Sequence, residues 1–120
     1  MPSTHPESTA AREAREFFER LNHEYVRVHK TKEDLFWSTY MAISDDHAGF
    51  ARAEQAYKAF VSDPDRLSAT RRHVAAVESA PDADARADLL HGLRGWRAVF
   101  DAHVIEGSEA AAGSGPEWAV

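Results

Sequence analysis

From Ser8 to Ile43 the chain contains neither proline nor glycine, and its apolar residues fall at steps of three and four. That combination predicts a helix. Nothing in the segment breaks an i→i−4 hydrogen-bond ladder, and the 3.6-residue repeat draws Phe17, Phe18, Leu21, Tyr25 and Val28 into one stripe. Ala10, Ala11, Glu13, Ala14 and Glu16 are strong helix formers near its start, where acidic side chains also suit the positive end of the helix. The polar run His29–Asp34 interrupts the stripe, which resumes at Leu35, Phe36, Trp37, Tyr40, Met41 and Ile43. Unbroken, such a helix measures about 54 Å, a lever rather than an ordinary bundle member. A kink near Thr31 is the alternative.

The rest of the chain is punctuated by short caps. Ser44, Asp45 and Asp46 can accept from free backbone N–H groups, so a second helix is expected from Asp46 to Val61, with Phe50, Ala53, Tyr57 and Phe60 inward. Ser62–Asp65 stops it. Asp63 is placed to cap a third helix and Pro64 suits its first turn, where no N–H is needed. That helix runs to about Ser79, with Leu67, Thr70, Val74 and Val77 on one face. Pro81 and Asp82 repeat the stop-and-start pattern. A fourth helix then carries Leu89, Leu93, Trp96, Phe100 and Val104. No segment alternates with period two and no Asn-Gly or Asp-Gly turn occurs, so strands are not expected.

The expectation is therefore all-α: a four-helix array with a long first helix and up-down connectivity, forming a single helical domain over residues 8–106. Residues 1–7, MPSTHPE, read as a disordered lead. Residues 107–120, GSEAAAGSGPEWAV, read as a flexible tail. The abrupt compositional change at Gly107 fits either a natural tail or a fourth helix cut short by a truncated or shifted reading frame.

The 14 basic residues against 20 acidic ones leave a formal charge of −6. That sign argues against nucleic acid, which requires a basic face, and against adhesion to an anionic membrane. Without cysteine, thiolate metal sites, disulfides and cysteine nucleophiles are excluded. With neither a secretion signal nor a spanning segment in view, the cytoplasm is the expected location.

Seven histidines raise the question of a metal. Glu19 and His23, and His29 and Glu33, sit four apart; Asp88 and His91, and His103 and Glu106, sit three apart. Each pair can share a helix face. A di-iron bundle needs Glu-x-x-His on two helices, and none occurs here. His23-Glu24 begins like the zincin motif H-E-x-x-H, but the next histidine, His29, lies roughly 240° around the helix. The pairs therefore read as solvated ion pairs. No G-x-S-x-G elbow or phosphate-binding glycine loop is present. Gly92 and Gly95, inside a helical pattern, point to close packing or local flexibility. No catalytic, cofactor-binding or metal-ligating residue is assigned. Leu35, Phe36, Trp37 and Tyr40 read either as core or as a docking face for a partner.

The segment LNHEYVRVHKTKEDLFWSTYMAISDDHAGFARAE, residues 21–54, resembles the N-terminal helical region of zinc oligopeptidases of the thimet-oligopeptidase and oligoendopeptidase F type. There a long helix ends in an aromatic cluster, a tight turn follows and a second helix begins. Leu35–Tyr40, Ser44–Asp46 and Phe50–Tyr57 match that plan, and the resemblance covers residues from about 10 to 105. It implies the non-catalytic front of a metalloendopeptidase, a wall or lid of a peptide channel. Such a piece would be inactive without the remainder of the peptidase domain, and zinc would be bound only by that missing catalytic part. The rival expectation is an independent helical module that self-associates through the Leu35–Tyr40 face. A small metal-binding bundle is the third.

Overall fold

The computed structural model describes the backbone of residues 6–113 and the side chains of residues 6–104. Most of the 1–7 lead and the end of the 107–120 tail fall outside these bounds. Among the described residues there is no strand, and the elements are α1 (Thr9–Tyr40), α2 (His47–Val61), α3 (Pro64–Glu78), a one-turn 3₁₀ helix (Ala83–Arg86) and α4 (Ala87–Gly113). The all-α array with a long first helix is thus as expected. α1 crosses the polar run at Thr31 without interruption over its 32 residues. The Thr31 hydroxyl bonds the Arg27 carbonyl at 2.9 Å.

Pair contacts set the topology. Along α1, Tyr25 meets Phe60 and Phe36 meets Phe50, so α2 runs antiparallel to it. Glu24 meets Arg66, Phe17 stacks on His73 and Ala14 packs with Val77, so α3 also runs antiparallel to α1. Ser8 with Asp82 and Asn22 with Trp96 are each 74 residues apart, an offset that Phe18 and Gly92 share, so α4 runs parallel to α1. The four helices therefore make three arms: α1 up, α2 and α3 down in succession, and α4 up. The four-helix up-down expectation is corrected on this point, since α2 and α3 share a direction.

The break in the middle arm follows the cap chemistry. Asp63 accepts from the Asp65 N–H at 2.9 Å, and Pro64 opens α3. Arg66 then ties the break to its neighbours. It bonds Asp63 at 2.9 Å and Glu24 of α1 at 2.6 Å, and its guanidinium lies 4.5 Å from the Phe60 ring centre. α3 and α4 are joined by Arg94–Glu78 at 2.6 Å and by Arg71–Asp101.

Two apolar clusters fill the space between the arms. Ala14, Val74, Val77, Leu90 and Leu93 form one; Leu21, Phe60, Val61, Leu67 and Phe100 form the other. All four positions expected on the inner face of α3 are buried, and the Thr70 hydroxyl is satisfied by the Arg66 carbonyl at 2.7 Å. Leu90, not picked out by the spacing in α4, is buried as well.

Pro81–Asp82 does not repeat the Asp63–Pro64 device. Asp82 makes no capping bond to the 3₁₀ helix that follows it. Its Oδ2 instead accepts from the Ser8 N–H and from Arg86 Nε, both at 2.9 Å, closing the start of α1 onto the α3–α4 connection. α4 proper begins only at Ala87 and continues to Gly113, past the compositional change at Gly107. Glu109 and Ala110–Ala112 are good helix formers and extend a helix already nucleated.

These bonds, led by the one from the Ser8 backbone, hold the Asp82 carboxyl well below its usual range. A carboxyl that is more acidic folded than unfolded adds stability above the unfolded value, near pH ~4. That contribution fades as pH falls below it. Acid titration of folding should therefore show a loss below about pH 4 that is smaller in Asp82→Asn. The variant should already be less stable than wild type at neutral pH.

Candidate functional site

Side chains from all three arms meet as far along α1 as Tyr25 and Val28. Beyond that point α1 is accompanied by α2, through Lys32 over the Tyr57 ring at 4.2 Å and Phe36 against Phe50 at 5.8 Å. α1 and α2 thus form a helical hairpin, the α1–α2 arm. Its end carries the residues read from the sequence as core or docking face. Leu35 is half-buried, and Phe36, Trp37 and Tyr40 are exposed, Trp37 at 55% and Tyr40 at 71%. Met41 and Ile43, next in the chain, are exposed as well. Their periodicity had joined them to the α1 stripe, but no sequence signal says whether a neighbour covers that stripe.

The rings are ordered by one another. Phe36 lies edge-on to Trp37 with centroids 5.3 Å apart and stacks on Tyr40 at 5.9 Å; Trp37 meets Tyr40 edge-on at 6.0 Å. Such contacts are worth about 0.5–1.5 kcal/mol per pair. Fewer rotamers then remain to be lost on docking. Beside the rings, Lys32, Glu33, Phe50 and Glu54 line a shallow groove.

The turn that ends the arm is tight. The Ile43 N–H bonds the Ser38 carbonyl at 2.9 Å and the Ala42 N–H bonds the Thr39 carbonyl at 3.2 Å, the two bonds of a Schellman ending. This places Ala42 at φ 58°, where glycine is usual, and stops α1 at Tyr40 rather than Ile43. The left-handed conformation costs an L-residue about 1–2 kcal/mol, while glycine's greater unfolded-state freedom offsets part of any relief. Ala42→Gly is expected to raise stability by about 0.5–1 kcal/mol in thermal melts. α2 then starts as expected, with the Asp46 carboxylate accepting from the Gly49 N–H at 2.9 Å.

The histidine pairs remain separate. His29 and Glu33 approach to 3.9 Å on the surface, and His103 Nδ1 lies 2.8 Å from the Val99 carbonyl oxygen. The side chain of Glu106 is outside the described residues. Among the described residues no three His, Asp or Glu side chains gather as a metal site requires. His73 is different in kind: stacked on Phe17 at 4.6 Å, it has its pKa pulled down, mainly by burial. No helix among the described residues is long and apolar enough to cross a membrane.

No family model matches the chain, and searches of curated proteins and of solved structures return no match.

Proposed function

We propose that this chain is a helical interaction module that docks through the aromatic end of its α1–α2 arm. One observation carries the reading. Phe36, Trp37 and Tyr40 form a contiguous exposed aromatic cluster, followed in the chain by exposed Met41 and Ile43, in a molecule whose other large apolar side chains mostly close into two clusters. Contiguous exposed patches on soluble proteins mark contact sites, whereas scattered ones do not. Aromatic residues and methionine are also the types enriched where proteins meet.

The front part of a zinc oligopeptidase would call for open apolar surface along α1 and α4 together. On α4, Val99 is the one large apolar side chain exposed among the described residues. That distribution favours the module.

The test places a photo-crosslinking phenylalanine analogue at Tyr40 in the cells that make the protein. Adducts that form at position 40 and not at Gln55, an exposed position on α2, support docking through this end, whatever the partner. Irradiation that leaves only unmodified monomer at both positions overturns it.

A further inference from the structure

The outward stripe of α1 continues from the aromatic end toward the N-terminus as His23, Val26, Lys30, Asp34, Trp37 and Met41. The spacings are three and four, and every residue is exposed. The stripe faces away from α2, α3 and α4, whose contacts are made by Leu21, Tyr25, Lys32 and Phe36 on the opposite side. Val26, at 63% exposure, is the one large apolar residue on it away from the patch.

The stripe is self-complementary when read in opposite directions. Lys30 with Asp34 and His23 with Met41 share one midpoint, at residue 32, and the midpoint of Val26 with Trp37 falls half a residue from it. Two copies of α1 laid antiparallel about a dyad at that midpoint set Val26 against the partner's Trp37 and Lys30 against the partner's Asp34, each contact occurring twice. A parallel pairing would instead set Lys30 on Lys30 and Asp34 on Asp34, a like-charge arrangement that opposes association. Within one chain, Lys30 and Asp34 already bond at 2.7 Å, so the dimer would join two such pairs into a ring of alternating charge.

We infer that the occupant of this surface is a second copy of the chain, paired antiparallel along α1 from His23 to its C-cap Met41. The inference rests on the docking role proposed above and names its partner. One helix per protomer over about 27 Å is a small contact, so an association in the micromolar range is expected.

Sedimentation velocity over a range of concentrations tests it, on wild type, Lys30→Glu, Asp34→Lys and the double exchange. Either single variant places like charges across the dyad at two symmetric points and should weaken the dimer at least about tenfold. The double exchange restores opposite charges across the interface, and keeps an i,i+4 pair within each helix. It should recover wild-type association. Circular dichroism of each variant controls for folding.

The natural absence of cysteine allows a second readout. His23→Cys mixed with Met41→Cys should form an intermolecular disulfide, whereas neither variant alone should. A wild-type monomer at every concentration overturns the second copy as occupant, and crosslinking at position 40 then decides separately whether the arm docks elsewhere. A dimer indifferent to the single reversals, or not rescued by the double exchange, overturns the register.

Discussion

Phe100→Ala is expected to remove about 3–5 kcal/mol of stability, a large share of the ~5–15 kcal/mol available to a domain of this size. Phe100 is fully buried, with Phe60 at 5.9 Å and Trp96 at 5.5 Å between ring centres. Its cluster also draws Leu21 from α1, Val61 from α2 and Leu67 from α3. Truncation would leave a cavity walled by four helices held in register by polar ties, including Arg66–Glu24 and Trp96 Nε1 to Asn22 at 2.9 Å. Such a site collapses poorly, which places the cost toward the upper end. The melting midpoint should fall by more than about 10 °C. Val99→Ala, one residue away but 37% exposed, should cost no more than about 1 kcal/mol. Similar losses for both would show that the second cluster is not the centre of the fold.

The second large effect concerns the two glycines of α4. A Cβ on Gly92 would lie 2.6 Å from Cε1 and Cζ of Phe18, so the α1–α4 contact is close because glycine is there. Nothing lies within 4 Å of a Cβ built on Gly95. Alanine adds about 1 kcal/mol of helix propensity at either position, but at Gly92 the half-buried Phe18 ring must move, at about 1–3 kcal/mol. Gly95→Ala should therefore stabilise by up to about 1 kcal/mol, while Gly92→Ala should fail to stabilise and should cost up to about 2 kcal/mol. The cause is separable from backbone effects by a double-mutant cycle. With Phe18→Ala in place, Gly92→Ala should become stabilising, and additivity of the two changes would refute the contact as the reason.

The reading of HGLRGW from sequence left close packing and local flexibility open for both glycines. The structure assigns packing to Gly92 alone, because that choice depends on which side of α4 faces α1. The same limit applied to Leu35–Tyr40. Periodicity identifies a stripe, and the stripe of Leu67, Thr70, Val74 and Val77 has the same local form as that of Phe36, Tyr40 and Ile43. The first is buried because α1 and α4 lie across α3, whereas α2 meets the end of α1 on its Phe36 side and leaves Trp37 and Tyr40 exposed. Asp82 illustrates the converse case. A local rule made it a helix cap, and a backbone N–H 74 residues away took its carboxylate instead.

What the sequence by itself determined was local: that the chain is helical, that the Ser44–Asp46 cluster and Asp63 start helices, and which face of α3 is apolar. Those features depend on hydrogen bonds and side-chain spacings within a few residues, which composition and order specify directly. Tertiary structure alone decided that α2 and α3 run in one direction as a broken arm, that Asp82 fastens α1 rather than capping a helix, and that the aromatic end of α1 stands uncovered. Each of these depends on which distant surface arrives to compete for, cover or leave bare a group, and no local pattern carries that information.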